Sequence, residues 1–128
     1  MKPFEHTITT DRAFDDAVEA VEQAAISHGF GVLHTHDVAG TLAAKGFARE
    51  PLKIVEVCNA RYASEVLEKD IRIALMLPCP ITVYVQDNRT YVSTMLPSVL
   101  ATMYPEAGIQ EQAKAVQEAV LRIVEAAR

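Results

Sequence analysis

A chain of 128 residues with half its side chains apolar, 23% charged and 6% aromatic has the length of one domain and the makeup of a folded protein, not a disordered one. Twelve Lys and Arg against seventeen Asp and Glu leave a formal charge of -5, and the basic residues are scattered, which argues against nucleic acid as a partner. No apolar h-region opens the chain, and the longest apolar run, Ile73 to Pro80, falls well short of the roughly 20 residues of a membrane span, so no membrane association is expected. The reading is a cytoplasmic protein whose two cysteines, Cys58 and Cys79, stay reduced.

Phe4, His6 and Ile8 alternate with Glu5, Thr7 and Thr9, the period-two pattern of a first strand. Thr10 then offers a hydroxyl as a helix cap. Phe14, Ala17, Val18, Val21, Ala24 and Ala25 recur at helical spacing until Gly29 ends the run. Phe30, Val32 and His34 continue as a second strand, and Asp37 is placed to cap a short helix that Gly46 terminates. The stretch PLKIVEVC is rich in β-branched residues and reads as a third strand ending near Cys58.

Asn59 stands where an N-cap must accept orphan amide hydrogens, ahead of a helix from Ala60 to about Lys69 with Tyr62, Ala63, Val66 and Leu67 on one face. Farther on, ITVYV and TYVSTML form a hairpin across QDNR, whose Asp and Asn tolerate the backbone angles of a tight turn. LPSVLATMYP is a short helical turn between prolines. Ile109, Ala113, Val116, Val120, Ile123 and Val124 then keep helical spacing to the end of the sequence. No repeat or linker interrupts residues 1–128, which read as a single domain of α+β class: a mostly antiparallel sheet with helices on one face. The other face carries Thr82, Tyr84, Gln86, Tyr91, Ser93 and Met95, a semi-polar surface open to solvent, to a second subunit or to a ligand.

If the third strand runs antiparallel to the one beginning at Ile81, Cys58 and Cys79 fall at the same end of the sheet. Cys58 also precedes a helix N-terminus, whose partial positive charge lowers a thiol pKa. The bland alternative is that both are small buried residues at strand ends, and their separation of twenty-one residues matches no compact metal or redox motif. His34 and His36 alternate on one strand and His6 lies on another, so three histidines with a cysteine are a conceivable zinc or copper set, with hydrogen-bonded strand-end histidines as the default. His28 suits a cation at a helix C-terminus. Glu56 shares a strand face with Ile54 and Cys58, but same-face neighbours sit roughly 7 Å apart, so a salt bridge or interface contact is a better reading than a base for the thiol. No phosphate-cradling loop and no Ser-centred nucleophile elbow occur, and no cofactor can be named.

VEVCNARYASEVLEKD followed by IALMLPCPITVYV resembles the bacterial and archaeal family called domain of unknown function 302, over nearly the whole chain. The matching positions are Cys58, Asn59, Ala63, Leu77, Pro78 and Cys79. Ala60 stands where the family usually has proline, which serves equally after an Asn cap. Pro80 follows Cys79 where an arginine or another residue is common, so an anion site has no cation there. The resemblance implies a TATA-box-binding-protein-like topology, β-α-β(4)-α with additions, commonly dimeric. It implies no chemistry, and DNA binding does not carry over to an acidic chain.

The combined expectation is a non-catalytic homodimer that binds a small molecule or a partner protein in a cleft near Cys58, Asn59, Pro78, Cys79 and Glu56. The rival is a thiol-redox or soft-metal protein using Cys58 and Cys79. A third possibility is a purely structural assembly protein, with Tyr84 and Tyr91 covered by a second subunit.

Overall fold

Five strands, β1 (Glu5–Thr10), β2 (Gly31–Asp37), β3 (Leu52–Cys58), β4 (Cys79–Gln86) and β5 (Arg89–Met95), form one sheet in the order β1-β5-β4-β3-β2. Every neighbouring pair is antiparallel. The structure, a computed structural model, describes residues 4–128. Helix α1 (Phe14–Ser27) separates the first two strands and α5 (Gln110–Ala126) follows the last, giving the expected β-α-β(4)-α order. The additions are α2 (Val38–Ala44), α3 (Ala60–Lys69), a 3-10 segment Ile71–Met76, α4 (Ser98–Met103) and a 3-10 turn Pro105–Ala107.

Alternation decides which side of the sheet is covered. Ile8, Val55, Val57, Ile81, Val83 and Val92 point to one face and are buried there against Ala17, Val18, Val21, Ala24, Val120, Ile123 and Val124 of α1 and α5. Each such Val or Ile side chain contributes about 1.5–3 kcal/mol by leaving water. On the opposite face Thr82, Tyr84, Tyr91, Ser93 and Met95 are only half-buried, and Tyr84 stacks on its cross-strand partner Tyr91 with ring centroids 5.1 Å apart.

Local signals explain most boundaries, with one correction. Thr10 does not cap α1. Its Oγ1 accepts from the Arg12 backbone N–H at 3.2 Å and closes a turn, so the helix begins only at Phe14, behind an Ala13 that offers no side-chain cap. The far end closes as expected. Gly29 sits at φ 80, where a Cβ would be strained, and this lets its own N–H reach Ile26 O while the Phe30 N–H reaches Ala25 O. Phe30 is thereby folded back into the core. Asp37 accepts from the Gly40 N–H at 2.9 Å and starts α2. In the β4–β5 hairpin, Asp87 and Asn88 both adopt positive φ, 52 and 63, the twist that suits a two-residue turn.

One irregularity redirects a strand. Val32 faces Val57 and His34 faces Glu56, so Leu33 is an extra residue bulged out of β2 and exposed. Beyond it, His34 and His36 lie on the uncovered face. A second, smaller apolar cluster of Val66, Ile73, Leu100, Ala107 and Ile109 lies beyond the sheet end where β3 stops and β4 starts. Arg72 clasps its rim, donating to Asp70 and, at 2.9 Å, to Glu106, with its guanidinium 4.7 Å from the Tyr104 ring. Among the described residues no helix is long and apolar enough to cross a membrane.

Candidate functional site

The two apolar clusters do not quite meet. Between them lies a cavity of about 50 Å³ whose lining is almost entirely apolar. Residues from every neighbouring element wall it: Phe30, Cys58 and Asn59, Tyr62, Ala63 and Val66 of α3, Ile73 and Leu77, Cys79, Pro97 and Leu100, and Ile109, Gln112, Ala113 and Val116 of α5. The 3-10 segment and α4 form the outer wall.

Asn59 fixes the geometry of one corner. Its Oδ1 accepts from the Tyr62 N–H at 3.1 Å, which is the N-cap of α3, while its Nδ2 donates to Gly29 O at 3.1 Å. One side chain therefore starts α3 and ties it to the end of α1. Val57 faces Cys79 across β3 and β4, and both cysteines line the cavity. Cys58 does so from the last position of its strand, although alternation along β3 would place it on the side of Glu56.

The electrostatics of the thiols run against the sequence argument. Burial pushes the Cys58 thiol up from its ordinary value, and the N-terminus of α3 does not reverse this. Cys79 is pushed up to about 11, by burial first and by the neighbouring Cys58 second. Both are neutral thiols at physiological pH, poor nucleophiles and poor metal ligands until deprotonated.

Of the residues picked from sequence, the structure brings Cys58, Asn59 and Cys79 into one lining. Pro78 and Glu56 do not contribute to it. Glu56 lies on the uncovered face and is hydrogen-bonded to His36 Nε2, the ion-pair role the strand spacing favoured. The three-histidine metal set does not assemble. His34 and His36 lie together at the β2 edge, with ring centroids 4.4 Å apart, whereas His6 sits on β1 at the opposite edge and pairs with Glu125 of α5 at 3.0 Å. No group of three or more His, Cys, Asp or Glu is placed to hold a metal ion among the described residues. His28 is engaged locally, its Nδ1 donating to Ala24 O at 2.7 Å.

Gln112 was not among the residues singled out from sequence, yet it had a signal. It is the polar position inside the apolar stripe Ile109, Ala113, Val116, three residues after Ile109 and four before Val116. Its side chain is buried, with 9% exposure, and Nε2 donates to Glu65 Oε1 at 3.2 Å.

Comparison with known proteins gives a consistent result. The family model described as "Domain of unknown function DUF302" matches residues 6–127. A solved crystal structure of an uncharacterized conserved DUF302 protein from Bacillus stearothermophilus is 27% identical, superposes with a TM-score of 0.92 and is covered over 98% of each chain. Among curated proteins, none matches the chain.

Proposed function

The chain belongs to the DUF302 family, and from that premise we propose that it is a non-catalytic module that binds a small apolar molecule in the cavity beside Cys58, Asn59 and Cys79. The supporting observation is the cavity itself: apolar, walled by six different elements, and left open where close packing would normally fill space. Pockets for drug-sized ligands measure roughly 300–1,000 Å³. At about 50 Å³ this one takes a compact group or the apolar end of a longer molecule.

The dithiol reading asks for thiolates, and burial opposes them at both sulfurs. Two neutral thiols serve better as soft, polarisable wall. In this proposal the protein works in the cytoplasm, where such thiols stay reduced, and as a homodimer. The half-buried Tyr84, Tyr91 and Met95 on the uncovered sheet face have the aromatic and methionine character enriched at protein interfaces. Sedimentation of native protein and of Tyr84→Glu is expected to show a dimer and a weakened dimer; a native monomer at micromolar concentration removes that part.

The cavity is tested by titrating isotope-labelled protein with the small rings pyrrole and furan. Saturable shifts of the Ala63, Ile109 and Ala113 amides are expected, and Ala113→Val or, from the facing wall, Ala63→Val should abolish them while leaving the folded spectrum. Shifts that do not saturate, or that survive both substitutions, overturn the reading.

A further inference from the structure

The segment between β2 and β3 stands away from both apolar clusters. Helix α2 is seven residues long and buries none of them; Val38, Ala39 and Leu42 are half-buried where it rests against β3. From Ala43 to Pro51 every residue is exposed, and Phe47 keeps 68% of its surface in water. A helix this short depends on the packing of one face, which a single chain leaves incomplete here. The segment is nonetheless well anchored. Gly46 at φ 91 closes α2, its own N–H on Ala43 O at 3.0 Å and the Phe47 N–H on Leu42 O at 2.9 Å, so the phenyl ring leaves the body from a defined turn. At the other end Pro51 O accepts from the Val85 N–H of β4 at 3.0 Å.

Charge says where such a segment fits. Residues 38–49 carry Lys45 and Arg49 and no acid, and neither cation has a carboxylate within ion-pair reach among the described residues. The uncovered sheet face has the opposite sign. Glu5 and Glu56 stand on it from β1 and β3, the strands that flank the stacked Tyr91 and Tyr84 of β5 and β4. Glu5 Oε1 accepts from Thr7 Oγ1 at 3.1 Å, and its charge, after burial, pushes the Tyr84 hydroxyl up from its ordinary value. Lys53 is turned to the covered side, 5.9 Å from the Phe14 ring, and Arg89 lies at the β4–β5 turn.

We infer that residues 38–51 form an arm that grips a second copy of this chain, with Phe47 seated on the Tyr84–Tyr91 stack of that copy and Lys45 and Arg49 toward its Glu5 and Glu56. This rests on the homodimer proposed above and names its contact. Two-fold symmetry makes the exchange reciprocal, each arm on the other sheet. The aromatic anchor supplies the affinity, while the charges set orientation and reject the wrong docking.

Complementary charge reversal tests the pairing by sedimentation equilibrium. One variant carries Lys45→Glu with Arg49→Glu, the other Glu5→Lys with Glu56→Lys, and each alone sets like charges against each other at both contacts. Each is expected to dimerise at least tenfold more weakly than native protein, and an equimolar mixture of the two to recover a dimer of near-native affinity, which also shows that both fold. Phe47→Ser should weaken the native dimer at least tenfold. A reversed arm that dimerises as native protein does, a mixture that stays monomeric, or a Phe47→Ser dimer of native affinity each overturn the arm and leave the dimer standing. A native chain that is monomeric at micromolar concentration overturns both.

Discussion

The main core under the sheet and the small cluster beyond its end are built from similar side chains and behave as different materials. Under the sheet, Val55, Val57, Ile81, Val83 and Val92 are fully buried against two long helices, and the strand pairing on each side holds them in place. Beyond the sheet end, Val66, Ile73 and Leu100 come from one ordinary helix, a 3-10 segment and a six-residue helix, Ile109 stands just before α5, and the space between them is incompletely filled. The lesson is a division of labour. Long-range pairing fixes the first region, and the second, held by short elements and the Arg72 clasp, leaves space unfilled.

Truncations sharpen this contrast most. Ile81→Ala is expected to cost about 4 kcal/mol in urea unfolding, because neighbouring strands prevent collapse into the hole, and Leu100→Ala about 2 kcal/mol, because the outer wall relaxes. Equal losses would mean that the two regions are equally rigid. Alkaline unfolding comes next. The fold keeps Cys79 protonated to about 11, against an ordinary thiol value of 9.0, so its contribution is complete below pH 9 and is lost as pH rises through about 11. Native protein should lose about 2 kcal/mol more over that range than Cys79→Ala, as read by denaturant unfolding at each pH. Matching pH profiles would show that Cys79 reaches water freely. The smallest effect is at the hinge between the regions. Asn59→Ala removes the α3 cap and the tie to Gly29, and should cost about 1 kcal/mol while shifting the Gly29 amide resonance. A change confined to α3 would separate the two clusters that the side chain is argued to join.

Strong local patterns made much of the fold legible. The α5 stripe, the Asp87-Asn88 turn, the Asn59 cap and the Gly29 stop each carry their own physics within a few residues. The Leu33 bulge was not readable, since nothing in GVLHTHD marks which residue is left without a partner. Thr10 shows the same limit: a capping residue type closes a local turn equally well, and packing of Phe14 decides where the helix starts. The nearness of Cys58 and Cys79 followed from assuming the antiparallel neighbours that β3 and β4 turn out to be. Their protonation did not, because burial raises both thiols and becomes visible only when the chain is packed around them. Gln112 was overlooked for a related reason. A lone polar residue in an apolar stripe acquires meaning from what faces it, here Glu65 on a different helix.

The order of the strands also sets a sequence of events during synthesis. Strands β2 to β5 pair in the order in which they leave the ribosome, each with the one before it, whereas Glu5 of β1 finds its register only opposite Met95. The first strand made is thus among the last to be secured, and until β5 emerges its amides face water or another nascent chain. Loop closure over some ninety residues separates early assembly of the meander from completion of the sheet, a contact-order penalty concentrated in one strand pair.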